Sequence, residues 1–401
     1  MRLLRVIASM DPASGGPCQG IRNLVPELER LGFSNEVVCL DDPASGFLAH
    51  DRFPIHALGK GRGRWCYHAR LIPWLIENLP RFDAVIVHGL WLFPSHAVRK
   101  AARGLRGPAP RICVMPHGML DPYFQRERSR RAKALRNWIY WKLIESKAVN
   151  EADALLFTSE QELRLAREPF RPYRPQREIN VGYGIAEPSP ATSAMREAFL
   201  AKCIDLGDRP YFLFLSRIHE KKGIDLLIRA YASVWSSKSG SLTPPALVIA
   251  GPLDSDFARA MQTLAAELCP RDTVFWPGML SGDSKWGAFH GCDAFVLPSH
   301  QENFGIAVAE ALACGKPVLI SNQVNIWREI EDAGGGLVAQ DSEEGIREMF
   351  QRWRKLSAVE KETMGKQARL CHESHFAVKP AAERLVSTLS ALRPNSTHLR
   401  D

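Results

Sequence analysis

Glu302 and Glu310 are the side chains of this sequence best placed to do chemistry. They stand in Ser299-His300-Gln301-Glu302-Asn303-Phe304-Gly305-Ile306-Ala307-Val308-Ala309-Glu310-Ala311-Leu312-Ala313-Cys314-Gly315-Lys316-Pro317-Val318. The pattern reads as a strand end, a polar loop with one glycine, a helix, a glycine stop and a further strand. A helix this apolar is expected to be mostly buried, and a buried carboxylate is costly unless something engages it. Glu302 precedes the helix and Glu310 lies two turns into it. Asn303, Phe304 and Gly305 lead into the helix start, where free backbone N–H groups bind anions. A diphosphate at those N–H groups, with hydroxyls at the carboxylates, describes a nucleotide-sugar site.

Such a site needs cations, and one loop offers them. Ser216-Arg217-Ile218-His219-Glu220-Lys221-Lys222-Gly223-Ile224-Asp225 follows the apolar strand Tyr211 to Leu215 and precedes an apolar helix. Arg217 suits a diphosphate as a planar fork and Lys222 as a mobile point charge. Gly223 permits a sharp turn there. A solvated charged loop is the plainer reading, and Lys221 is read that way.

The elements that must position these residues alternate strand and helix. Leu3 to Ser9 reads as a first buried strand, followed by a loop carrying Gly15 and Gly16, a helix from about Cys18 to Leu31, and a second strand over Glu36 to Leu40. This opening implies a parallel sheet covered by helices. Gly15-Gly16 is either a plain tight turn or a place where backbone approaches a ligand. Two buried strands, over 83–89 and 111–119, end in His88-Gly89 and His117-Gly118, where open α/β sheets place ligands. His117 is the favoured functional histidine, because Pro116 and Gly118 fix its loop. A further strand reads over 154–158, and the proline- and arginine-rich stretch 168–190, with one strand-like piece at Ile179 to Val181, reads as an interdomain connection. Beyond it come further strands over 211–215, 247–250, 293–297 and 317–320. The expected division is a first domain over 1–187 and a second over 188–375, with a helix near 376–395 packing back on the first.

The stretch Arg126 to Lys147 is basic and aromatic, with Arg126, Arg128, Arg130, Arg131, Lys133, Arg136, Trp138, Tyr140, Trp141 and Lys142. The default expectation is a packed face of Leu135, Trp138, Trp141 and Ile144 with a solvated basic side. A membrane-surface helix is the sharper alternative.

Totals constrain the rest. A length of 401 residues favours two domains, and the formal net charge of +8 favours anionic partners. Nine cysteines, an odd number with no C-x-x-C pair, read as reduced packing thiols of a cytoplasmic protein. The first apolar run is too short for a signal segment, and no run approaches the ~20 residues of a membrane span.

Arg217 with Lys222-Gly223, then Glu302 and Glu310 in the frame Glu-Asn-Phe-Gly…Glu-Ala-Leu-Ala-Cys-Gly-Lys-Pro-Val, resembles the family-4 retaining glycosyltransferases, the group 1 glycosyl transferases. The likeness is strong over Tyr211 to Val338 and looser earlier, where Gly15-Gly16 and Pro116-His117-Gly118 fit in order. It implies an α/β fold of the GT-B type, two Rossmann-like doubly wound domains facing a central cleft, with donor mainly on the second and acceptor mainly on the first. It implies Arg217 and Lys222 at the diphosphate, Phe304 and Gly305 adding N–H contacts beside Asn303, and Glu310 at the ribose. Glu302 and His117 would lie at the transferred sugar, Gly15 and Gly16 at a close backbone approach, and Lys285 near the base.

The implied enzyme is a metal-independent, retaining hexosyltransferase using a UDP- or GDP-sugar and no cofactor. Its acceptor would be a glycan or lipid-linked molecule of bacterial polysaccharide or envelope synthesis, reached in the cytoplasm or on the inner face of the membrane. One departure is Val181-Gly182-Tyr183-Gly184-Ile185-Ala186, where many members have Pro-Asn-Gly-Ile-Asp. Asp254-Ser255-Asp256 resembles a metal-binding Asp-x-Asp, but its place before a helix favours capping. The rivals are a sugar-nucleotide epimerase of the same fold and a non-catalytic anion- or nucleic-acid-binding protein. No nucleic-acid module is recognisable, so no nucleic-acid partner is expected.

Overall fold

The computed structural model describes residues 1–127, 130–235 and 244–392. Arg128 of the basic stretch and residues 393–395 of the expected final helix lie outside the described residues. The chain forms two units. One comprises Met1–Gly184 and the chain from Val378 onward, the other Ile185–Ala377.

The first unit is built on seven parallel strands: β1 (Arg2–Val6), β2 (Ser34–Cys39), β3 (Ile55–Ala57), β4 (Ala84–His88), β5 (Arg111–Met115), β6 (Ala154–Phe157) and β7 (Glu178–Asn180). Their spatial order is β3-β2-β1-β4-β5-β6-β7, so the order reverses between β1 and β4. Every residue of β4 is buried, as expected of a parallel strand covered on both faces. The helix Gly16–Arg30 opens with Pro17 in its first turn, where a missing N–H costs nothing. It buries Cys18, Ile21, Leu24, Val25 and Leu28. The helix Val378–Ala391 sets Ala381, Ala382, Leu385 and Leu389 into the same core as Leu3, Leu24, Leu28 and Ile86.

The second unit has six parallel strands: β8 (Tyr211–Leu215), β9 (Ala246–Ala250), β10 (Val274–Phe275), β11 (Ala294–Leu297), β12 (Val318–Ser321) and β13 (Gly336–Ala339). Their order, β10-β9-β8-β11-β12-β13, reverses between β8 and β11. The strands β3, β10 and β13 have no counterpart in the sequence reading. The strand-like piece within the connecting stretch is β7, which pairs with β6 at the sheet edge.

The basic stretch differs from its default reading. Helices Arg131–Tyr140 and Ser146–Glu151 are joined by a π-helical turn, Trp141–Glu145. The wider turn rotates the apolar face. Trp141 is fully buried and stacks on Phe170 at 4.8 Å, whereas Leu135, Trp138 and Leu143 are 60%, 50% and 65% exposed. Leu135 and Trp138 therefore share no packed face with Trp141.

The same turn buries Glu145 completely. Burial raises its carboxyl to about 7, opposed only in part by Ser95 and the Trp91 backbone. Between the ordinary carboxylate value and about 7, the folded protein keeps a proton that the unfolded chain has released. Stability present at low pH is therefore lost as pH rises through that window. Glu145→Gln should flatten the fall and leave the protein more stable above pH 7, by at most about 3 kcal/mol. Urea unfolding of both proteins at pH 5 and pH 8 checks this, and equal pH slopes would contradict it.

Candidate functional site

In open parallel sheets the carboxyl ends of the strands flanking the reversal of order form the binding crevice. In the second unit that place lies after β8 and β11, and the residues singled out in the sequence fall there. The loop after β8 carries Arg217, exposed and without an ion pair among the described residues, and Lys222, which is buried and only 8% exposed. The loop after β11 carries Glu302. Lys222 Nζ donates to Glu302 Oε2, so the two form an ion pair across the reversal.

Backbone contacts hold both loops. His300 N–H donates to the Lys221 carbonyl at 2.9 Å. Glu302 is bridged on both sides, its N–H to Gln323 O and its carbonyl from Asn325 N–H, each 2.9 Å. Gly223 turns with φ +64°, and a Cβ there would run into the Pro298 carbonyl oxygen. Only glycine serves, for both conformation and space.

Gly305, with φ +80°, is the N-cap of the helix Ile306–Ala313, and Phe304 is buried edge-on against Phe376 at 5.6 Å. Asn303 lies just before them. The helix therefore starts with backbone N–H groups that no side chain of its cap engages. Glu310, further along it, accepts from Lys285 Nζ at 2.6 Å, and Lys285 lies 4.6 Å over the Trp286 ring. Burial raises the Glu310 carboxyl while Lys285 opposes the rise. Lys222, expected at the diphosphate, and Lys285, expected near the base, each have a glutamate partner in the structure. Ser255, between Asp254 and Asp256, caps the helix Asp256–Leu268 by accepting from Ala258 N–H at 3.1 Å. Among the described residues, no group of three or more His, Cys, Asp or Glu is placed to hold a metal ion.

In the first unit the reversal lies between β1 and β4. Gly15, φ +94°, is the N-cap of the helix Gly16–Arg30 with open space where a Cβ would stand. The Gly16 carbonyl accepts from the Tyr183 hydroxyl at 2.5 Å, which ties the departing Val181–Ala186 segment to this turn. His88 ends β4, and His117, φ +53°, follows β5 in a left-handed conformation rare for a non-glycine residue. His88 Nδ1 and His117 Nε2 are 3.0 Å apart. Burial, then the charge of Arg5, lowers His117 to about 3, so the ring is neutral at ordinary pH.

Two residues near His117 escaped the sequence reading. Glu162 is buried and accepts from Gly118 N–H at 2.5 Å and Thr158 N–H at 2.8 Å, fixing the loop that carries His117. Arg5 is buried inside β1, and a charge in the run Leu3-Leu4-Arg5-Val6 was the signal available for it.

Residues 198–370 match the family model of group 1 glycosyl transferases, and residues 15–183 match that of the glycosyl transferase 4-like domain. The D-inositol 3-phosphate glycosyltransferase of Acidothermus cellulolyticus is 30% identical over 129 residues, 31% of this chain and 29% of that protein. The matched stretches span 29% to 47% of the length of the curated relatives. Among solved structures, a glycosyltransferase from Rickettsia africae superposes with a TM-score of 0.76 at 15% identity, over 98% of this chain and 99% of that one. The Anabaena protein HepE in complex with UDP and glucose superposes at 0.73 and 17% identity, over 98% and 100%. These likenesses show the GT-B fold, two Rossmann-like α/β domains.

Gly223→Ala should cost more than about 1 kcal/mol, since it forces a left-handed turn on alanine and displaces the Pro298 carbonyl. Denaturant unfolding reads the loss, and an unchanged midpoint would contradict the packing of the two loops.

Proposed function

Because the chain belongs to the group 1 glycosyl transferases, we propose that it moves a sugar from a nucleoside-diphosphate donor to a hydroxyl acceptor with retention at the anomeric carbon. The observation that carries this reading is the gathering of Lys222, Glu302, the exposed Arg217 and the helix start at Phe304-Gly305 around the reversal of the second sheet. Arg217 and the helix N–H groups, with Asn303 beside them, suit the two phosphates. Lys222 is held by Glu302 until a diphosphate competes for its ammonium. Glu310, kept in place by Lys285, is assigned to the ribose, and Lys285 itself is assigned to the base. From the first unit, His117 is assigned to a hydroxyl of the transferred sugar, and Gly15-Gly16 to close backbone approach.

The transition state in this reading resembles an oxocarbenium ion separating from the diphosphate. Fixed cations stabilise charge that develops on the leaving group, where electrostatic catalysis acts most strongly. The leaving phosphate takes the proton of the acceptor hydroxyl on the same face, which gives retention. Glu302 then orients Lys222 and favours positive charge on the sugar, and Arg217 with Lys222 fills the role a metal would have. The HepE complex favours UDP as the first base to test, with GDP next. A glycan or lipid-linked acceptor of polysaccharide or envelope synthesis suits the basic chain.

The exposed Leu135, Trp138, Ile139 and Leu143, among Arg131, Lys133, Arg136 and Lys142, favour peripheral contact of helix Arg131–Tyr140 and its π-turn with an anionic membrane surface. Among the described residues, no helix is long and apolar enough to cross a membrane.

UDP or GDP should raise the melting temperature. Lys222→Ala and Glu302→Gln should each lower donor hydrolysis or transfer by about 10²- to 10³-fold. Near-normal turnover in both variants would overturn the assignment. Conversion of the donor sugar to an epimer with no acceptor present, watched by NMR, would favour an epimerase instead. Flotation with anionic liposomes at low salt should carry the protein upward, and Leu135→Glu with Leu143→Glu should abolish it.

A further inference from the structure

The core of the first unit contains a cation with no anion to meet it. Arg5 on β1 is 1% exposed, and among the described residues no carboxylate pairs with it. Burial lowers its guanidinium only to about 10, so it stays charged. Its Nε donates to Asn35 Oδ1 at 3.2 Å, and its Nη1 lies 3.3 Å from His88 Nε2. His88 Nδ1 in turn lies 3.0 Å from His117 Nε2. Asn35, Arg5 and His88 stand on β2, β1 and β4, which are adjacent, and His117 follows β5, the next strand. The contacts form one lateral line across the sheet.

The two imidazoles point at each other edge to edge. Their planes differ by 18° and their centroids are 5.3 Å apart. That separation is the 3.0 Å N···N contact plus one ring radius on either side, so the two nitrogens face each other in the ring planes. This is hydrogen-bond geometry, and face-to-face stacking would bring the centroids closer.

A guanidinium has donors only. His88 Nε2 must therefore accept from Arg5, and a neutral His88 then carries its proton on Nδ1. That proton is donated to His117 Nε2, which must accept. His117 is left with its own proton on Nδ1. We infer that Arg5, acting through His88, fixes His117 in the Nδ1–H tautomer, so that His117 offers a ligand an N–H donor rather than a lone pair. Arg5 and His88 are positioning residues in this scheme, and neither need touch the ligand. Glu162 and the left-handed turn at His117 keep the ring in line.

The partner selected by such a group is an oxygen that can accept, in a hydroxyl or a phosphate. His117 does not serve as a base there, because its only lone pair is already engaged by His88. This consequence for the ligand rests on the proposed contact between His117 and the donor sugar, whereas the tautomer does not.

The test is a two-bond proton–nitrogen correlation spectrum of the full chain labelled with ¹⁵N-histidine at pH 7.5, with His117 assigned through His117→Gln. Both His117 and His88 should show a protonated Nδ1 and an unprotonated Nε2, the reverse of the form an isolated histidine side chain prefers. Arg5→Lys, which keeps a donor-only group, should preserve the pattern. Arg5→Met should let His117 move toward the Nε2–H form, and His88→Leu should do the same with Arg5 intact if the first variant does not fold. An Nε2–H His117 in the unaltered protein, or an unchanged His117 in a folded Arg5→Met or His88→Leu variant, overturns the inference. If the tautomer is as expected while His117→Ala transfers sugar normally, the relay stands and the proposed sugar contact falls.

Discussion

The ion pair between Lys222 and Glu302 ties together two loops that leave neighbouring strands, and the candidate site of the second unit is arranged around it. Parallel strands cannot be joined by tight turns, so every loop at their carboxyl ends departs toward a helix. Where the strand order reverses, β8 and β11 send their loops in opposite directions and leave a gap. Lys222 and Glu302 face each other across it, with Gly223 allowing the first loop to press against Pro298. Breaking the pair by removing one partner would leave the other charge largely buried, which is why the two belong together energetically.

The two units meet similar demands by different means. The second places opposite charges at its reversal, each lysine with its own carboxylate. The first places a guanidinium and two neutral imidazoles there, and turns Glu162 to the backbone N–H groups of Gly118 and Thr158 and to the Thr158 hydroxyl. An acid beside Arg5 would have satisfied that cation but would have released His88 from the role of acceptor. The unit therefore keeps a buried charge with few partners, and gains a defined proton position at the mouth of β5.

Much of this was legible in the sequence. Glu302, Phe304, Gly305 and Glu310 could be placed because the apolar strand, the glycine and the helix are contiguous, and local periodicity records such units well. Arg217, Lys222 and Gly223 were legible for the same reason. The pairings Lys222–Glu302 and Lys285–Glu310 were not, since each depends on which strands become neighbours, and strand order leaves no local trace. The face of the helix Arg131–Tyr140 was misjudged because a single π-turn shifts the phase of everything before it. β3 and β10 escaped because strands of three and two residues carry little pattern of their own. Arg5 carried a visible signal, a charge in an apolar strand, but its meaning needed His88 and His117 on adjoining strands.

The helix Val378–Ala391 has a consequence for how the chain comes to be folded. Its Leu385 and Leu389 fill a core otherwise made by residues between Leu3 and Val181. Domains generally fold in order as they leave the ribosome. Here the unit synthesised first waits for its last helix until all of Ile185–Ala377 has been made, while the unit synthesised second has its whole sequence in one piece. The order of synthesis and the order of completion are therefore reversed. Until the final helix arrives, the early sheet carries an uncovered apolar face, which a nascent chain must keep from other chains.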